Sequence, residues 1–162
     1  MKPVSGQTPA LVLLEKEGIA YTLHAHDYDP EASRKGLQAA ESLGVSPERV
    51  FKTLMVWVDK EKPACAIIRS DHKLNLKAAA AAALGGKSAS MMAPPDAERL
   101  TAYKTGGISP FGQKKRVPVL LDRHALEVDR IFVNAGRRGL QCEIEAEPTA
   151  RHFSWTVAAV GE

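Results

Sequence analysis

Val50-Phe-Lys-Thr-Leu-Met-Val-Trp-Val58 is rich in β-branched and aromatic residues and contains neither glycine nor proline, which is the composition of a strand. Alternation sets Val50, Lys52, Leu54, Val56 and Val58 on one face and Phe51, Thr53, Met55 and Trp57 on the other. Ala64 to Arg69 reads as the partner strand, joined through the polar turn Asp59-Lys-Glu-Lys-Pro63. Lys52 interrupts an apolar row near the strand's start. Two readings stand: a lysine whose stem lies along the sheet and whose head reaches water, or a cation held at a pocket mouth and aimed at a ligand.

Working outward, Thr8-Pro9 opens a helix with Thr8 as N-cap, Gly18 just past its end, and Ala10, Leu13 and Leu14 as its buried stripe. Ala20 to His26 alternates as a half-buried strand, with His24 and His26 on one side. Asp27-Tyr-Asp-Pro30 is a turn, Gly36 to Leu43 a helix, and Leu76 to Leu84 an alanine-rich helix ended by Gly85-Gly86. A short strand around Ser88–Met92 precedes a helix from Pro94 to about Tyr103. Strands at Val117–Leu121, Ile131–Asn134 and Leu140–Glu145 complete the pattern, with a loop at Ala135-Gly-Arg-Arg-Gly139. The tail from Pro148 to Glu162 carries weak signals. No repeat and no linker divides the 162 residues. The expectation is a polar lead-in over 1–7 that frays, followed over 8–162 by a single mixed α/β domain: a curved, mostly antiparallel mixed sheet flanked by helices.

The net charge of +3 is too small for a nonspecific duplex binder but allows one basic face. With no secretory leader and no apolar run of membrane length, a reducing cytoplasm and no membrane partner are expected. Cys65 and Cys142 form neither a CxxC pair nor a zinc-ligand spacing, and read as buried inert thiols. His24 and His26 have the i, i+2 spacing of a metal pair without a further ligand cluster, so a neutral pocket wall is the reading to test and no metal is expected.

Tyr103-Lys-Thr-Gly-Gly-Ile-Ser-Pro-Phe-Gly-Gln-Lys-Lys-Arg116 cannot lie inside a helix or a central strand. Gly106 and Gly107 leave peptide N–H groups uncovered, and such groups can face an oxyanion or a carbonyl oxygen. Lys114, Lys115 and Arg116 put positive charge after them, and Arg137 and Arg138 repeat the feature in a second glycine-bounded loop. These runs read equally as a phosphate clamp or as solvated charge. Ser109 lacks the GxSxG elbow and has no lysine three positions on, so it reads as a loop-shaping or substrate-contacting hydroxyl.

The blocks Thr8-Pro-Ala10 with Leu13-Leu-Glu15, Phe51-Lys-Thr-Leu54, Leu74-Asn-Leu-Lys77, Gly106-Gly-Ile-Ser-Pro110 with Gly112-Gln-Lys-Lys-Arg116, and Arg138-Gly-Leu140 resemble the YbaK family, in one order from about Thr8 to Ala146. These are Cys-tRNA(Pro) deacylases related to the editing domain inserted in bacterial prolyl-tRNA synthetases. The resemblance implies a trans-editing hydrolase of Cys-tRNA(Pro), with Cys-tRNA(Cys) as a further candidate substrate, in which the cysteine sulfur attacks its own ester carbonyl. It implies no cofactor, and prolyl-tRNA synthetase as a partner alongside the CCA end of the tRNA. It casts Lys52, Gly106 and Gly107 as catalytic, His26, Thr53, Ile108, Ser109, Asn134, Gly136 and Gln141 as substrate walls, and Lys114, Lys115, Arg116, Arg137 and Arg138 as guides for the tRNA backbone. Two positions depart from the family pattern, His26 where a tyrosine is frequent and Gln141 where some members have aspartate. Both touch the amino-acid side. Rival readings are the same reaction on another small amino acid, such as alanine, and a tRNA- or synthetase-binding module without catalysis.

Overall fold

A computed structural model describes residues 7–28 and 35–162. Residues 1–6 of the expected lead-in and the Asp29-Pro30 half of the expected turn therefore lie outside the described residues. β2 (Phe51–Val58) forms as expected and pairs antiparallel with β3 (Lys62–Arg69) along its whole length. Antiparallel β4 (Ala89–Met91) flanks β2 on its other side, while β5 (Val119–Asp122) joins β3 in parallel and β8 (Thr156–Ala158) joins β5 in parallel. The order of this sheet is β4-β2-β3-β5-β8.

A second sheet, β1-β7-β6, is antiparallel throughout and comprises β1 (Thr22–Ala25), β7 (Leu140–Glu145) and β6 (Arg130–Arg137). The expected single sheet is thus divided in two, and an isolated parallel bridge between Val50 and Phe132 ties the halves together. The mixed α/β domain, with antiparallel pairs prevailing, is as expected.

The main core fills the space enclosed by the two sheets. Phe51, Met55, Cys65, Ile67 and Leu121 from one sheet meet Ile131, Val133, Leu140, Cys142 and Ile144 from the other. Helix α1 (Pro9–Lys16) adds Ala10, Leu11 and Leu14; Leu11 takes the buried place expected of Leu13. The opposite face of the larger sheet is covered by α3 (Leu76–Leu84), whose alanines let the helix lie close on Ala66, Ile68 and Leu120. Asn75 caps α3 by accepting the Ala78 N–H at 2.9 Å, and Gly85 ends it in the left-handed region at φ 64°. Helices α2 (Lys35–Leu43) and α4 (Pro94–Thr101) complete the set the sequence suggested. The weak tail forms a further helix, α5 (Ala146–His152), before β8.

One topological detail positions the site. β4 pairs only with Val56, Trp57 and Val58, so Phe51 to Leu54 of β2 have a strand partner on the β3 side alone. A sheet edge left open in this way exposes backbone groups and the side chains at the sheet's end. The cavity opens there.

Candidate active site

A cavity of about 300 Å³ lies against the open half of β2. Lys52 and Thr53 reach it from β2, His26 from the end of β1, Gln141 from β7, Asn134 from β6, and Gly106 and Ile108 from the glycine loop. The remaining wall is mainly apolar, including Phe51, Met55, Met91 and Met92.

Lys52 is partly exposed. Burial pushes its amine pKa down, and the charge of Asp71 opposes that shift. Asp71 is itself committed to Arg69 through hydrogen bonds of 2.9 and 2.7 Å. The Lys52 ammonium therefore faces the cavity with its charge uncompensated by a direct ion pair among the described residues. That favours the pocket-cation reading over a solvated lysine.

The glycine loop is built into the protein and is not a free surface turn. The Tyr103 hydroxyl spans its base by donating to the Phe111 carbonyl at 2.6 Å, and the Lys114 and Lys115 N–H groups return to Thr101 and Leu100. Gly106 has φ +90°, a conformation side-chain-bearing residues rarely take. Its carbonyl accepts from Asn134 Nδ2 at 3.2 Å, while Arg138 Nε donates to the neighbouring Thr105 carbonyl at 2.9 Å. Among the described residues the N–H groups of Gly106 and Ile108 have no hydrogen-bond partner.

Several of the expected site residues have other surroundings than the expectation gave them. The Gly107 N–H is not free, because it closes a turn onto the Lys104 carbonyl at 2.8 Å. Gly107 is needed for packing instead: a Cβ there would lie 2.8 Å from the Arg138 nitrogen. Ser109 is fully buried and off the cavity wall; its hydroxyl accepts the Phe111 N–H at 3.2 Å and shapes the loop. Gly136 is likewise off the wall, its N–H held by Asn134 Oδ1 at 2.7 Å. The region read as a loop from Ala135 to Gly139 is strand as far as Arg137, with a register shift between Asn134 and Arg137.

The two basic runs separate. Lys115 and Arg116 line a second cleft, of about 710 Å³, with Phe153 and Trp155, and it shares no lining residue with the first. Gly112 shares that second cleft with Lys115 and Arg116, whereas Gly106 lines the first, so these charges do not line the cavity at Gly106. The cation nearest the loop glycines in these contacts is Arg138, whose guanidinium lies over the Tyr28 ring at 5.4 Å. Arg137 is exposed at the end of β6.

The histidines also part. His24 turns to Glu143 at 3.0 Å, and Arg49 holds the same carboxylate at 2.9 Å. His26, beyond the strand end, lines the cavity, with its Nε2 at 3.4 Å from Gln141 Nε2. The two departures from the family pattern are thus in contact. Among the described residues no three His, Cys, Asp or Glu side chains converge as metal donors. Both thiols are buried, which pushes Cys65 and Cys142 up to about 12.

Tyr28 and Ser70 are wall residues that sequence reasoning missed. Tyr28 was visible only as part of a turn. Ser70 enters because its N–H bonds the Val50 carbonyl, a pairing one residue past the expected strand that strand parity could have suggested.

The chain matches the family model of the aminoacyl-tRNA editing domain over residues 31–151. It is 36% identical over 149 residues to an Enterococcus faecalis protein named "Putative Cys-tRNA(Pro)/Cys-tRNA(Cys) deacylase EbsC", covering 90% of this chain and 88% of that one. Two solved structures share the fold. One, of a hypothetical protein, has a TM-score of 0.82 at 23% identity and covers 95% of this chain and 99% of its own. The other, described as a "putative trans-editing enzyme for prolyl tRNA synthetase", has a TM-score of 0.78 at 21% identity over 98% and 99%. No helix among the described residues is long and apolar enough to cross a membrane. On its sequence match and its architecture together, the chain belongs to the aminoacyl-tRNA editing domain family.

Proposed function

We propose that the protein is a deacylase that frees tRNA(Pro) from wrongly attached cysteine in the cytoplasm, with the cysteinyl thiol as the nucleophile. The observation that carries this reading is a cavity equipped to hold an ester but not, among its described walls, to attack one. Thr53 and Ser70 offer hydroxyls, yet neither has a hydrogen-bond partner, so no base is set to activate them. The protein's own thiols are buried and held protonated. A substrate thiol, with an ordinary pKa of ~8.5, needs only modest electrostatic help to react at neutral pH.

In this reading the sulfur attacks the ester carbonyl, the tRNA hydroxyl leaves, and a strained cyclic thioester is released for water to open. The Gly106 and Ile108 N–H groups would take the carbonyl oxygen as its charge develops, in place of the expected Gly106–Gly107 pair. Lys52 would steady that charge or the terminal ribose and phosphate. Asn134 would fix the loop, and His26 with Gln141 would bound the amino-acid side. Arg137 and Arg138 are proposed to guide the CCA end, with Lys114, Lys115 and Arg116 contacting the tRNA farther away. No cofactor is needed for these steps. Choice of tRNA would fall to prolyl-tRNA synthetase acting in concert, which predicts faster turnover of Cys-tRNA(Pro) when that enzyme is added.

The test is ester loss from tRNA(Pro) carrying cysteine, alanine or serine. We expect the cysteinyl ester to disappear at least ~10²-fold faster than the others, because only it carries the attacking atom. Equal cleavage of the alanyl ester would refute thiol assistance. Loss no faster than in buffer for all three would leave a tRNA-binding module.

A further inference from the structure

Resting on the deacylation reading, we propose that His26 is the base that removes the proton from the substrate thiol. Its two ring nitrogens have different partners. Nδ1 lies 2.8 Å from the Asp27 carbonyl oxygen, which can only accept, so Nδ1 carries the hydrogen. That carbonyl also takes Gln38 Nε2 at 2.7 Å, so two donors hold it and the ring is fixed from α2 as well. Nε2 of the neutral ring is then a lone pair at the cavity wall, with Gln141 Nε2 a distant 3.4 Å away. A contact that long leaves the lone pair available to a better donor.

The alternatives along the wall are few. Its titratable side chains among the described residues are His26, Tyr28 and Lys52, and none is a carboxylate. Lys52, as the charged group of the deacylation reading, has no lone pair to take a proton, whereas a neutral imidazole with its hydrogen on Nδ1 has one at Nε2. Among the described residues, the charged or titratable groups around His26 are Asp27 and Tyr28 on its own segment, Lys52 on the cavity wall, and Arg138 in the β6–β7 turn that receives the His26 N–H at Gly139. α2 contributes the neutral Gln38, and β7 the neutral Gln141.

The step balances within the substrate and the ring. Nε2 takes the S–H proton, the sulfur pair forms the C–S bond, and the carbonyl π pair moves to oxygen. When that pair returns, the ester C–O bond breaks and the leaving ribose oxygen takes the proton from Nε2–H. His26 ends neutral, as it began.

The experiment is single-turnover deacylation of Cys-tRNA(Pro) from pH 5.5 to 9.5, buffer hydrolysis subtracted, for the wild type, His26→Gln and His26→Ala. General-base assistance is worth ~10² at its lower end, and a thiol ionising at ~8.5 is only a few per cent thiolate near pH 7, so a deficit of roughly 30- to 100-fold is expected for both variants there. It should shrink to a few-fold by about pH 9.5, above the ~8.5 at which a thiol ionises unaided. Added imidazole should restore part of the His26→Ala rate near neutral pH. A deficit equal at every pH with no imidazole rescue would make His26 a structural wall and overturn the assignment, as would no deficit. A wild type inert on Cys-tRNA(Pro) would instead end the deacylation reading and this one with it.

Discussion

Lys52, proposed here to steady charge in the site, is placed there at the expense of the fold. Its amine pKa is depressed from the ordinary 10.5, with burial the leading cause. Folding therefore disfavours the charged form, so below the depressed pKa the charge lowers stability. That penalty fades as pH rises towards the unfolded value. Lys52→Met keeps the stem and removes the charge. Its melting temperature at pH 7 should equal or slightly exceed that of the wild type, with any advantage fading towards pH 10.5, while deacylation falls by ~10² or more. A clear drop in melting temperature with unchanged activity per folded molecule would make Lys52 structural. This residue was legible in the sequence because strand parity alone put a cation in an apolar row. Ser109 and Gly107 were not, since whether a hydroxyl or an N–H is already satisfied depends on hydrogen bonds that the loop composition does not encode.

At the level of elements, the glycine loop depends on the bulge in β6. Asn134 Oδ1 accepts the Gly136 and Arg137 N–H groups at 2.7 and 3.1 Å, and Nδ2 donates to the Gly106 carbonyl. One amide thus holds the bulge and the cavity rim together. Asn134→Asp keeps the acceptor and replaces the donor with an oxygen facing a carbonyl oxygen. We expect ~1–2 kcal/mol of lost stability and roughly tenfold lower turnover, with the circular dichroism of the fold unchanged. Asn134→Ala should cost more stability because the bulge N–H groups also lose their acceptor. Full turnover in Asn134→Asp would show that the loop holds its shape without this bond. The β2–β3 hairpin was readable because its period of two is unbroken. The bulge was not, because Gly136-Arg-Arg-Gly139 has turn composition and its continuation as strand rests on a side chain outside the repeat.

The whole molecule is closed by a contact that composition gave no hint of. Asp122 is fully buried at the end of β5, and its Oδ1 accepts the Val160 and Gly161 N–H groups at 2.9 and 2.8 Å. Oδ2 takes the His124 N–H and pairs with His124 Nδ1. The final residues thereby return beside β5, and Gly161 forms an isolated antiparallel bridge with Leu74, ahead of α3. Weak periodicity in the tail hid α5 and β8, for α5 is held by Ala146 and Ala150 in the main core and β8 by its pairing with β5, both long-range contacts. Burial pushes the Asp122 pKa up, but the hydrogen bonds from Gly161, Val160 and His124 outweigh it and leave the carboxyl below its usual value. A carboxylate depressed in the folded state contributes stability that is complete above its unfolded pKa of ~3.9 and lost as pH falls through the folded one. Asp122→Ala removes the acceptor from two main-chain donors and should cost about 2–5 kcal/mol at pH 7. Its deficit against the wild type should begin to narrow below pH ~4, where the unfolded chain takes up a proton that the folded carboxylate resists. Because Asp122 lies outside the cavity wall, deacylation per folded molecule should be unchanged. Denaturant melts at pH 7 and pH 3, paired with an activity titration, would measure all three. A deficit of the same size at both pH values would mean that the side chain acts by filling space, and the ionised carboxylate would then not be what fastens the chain's end.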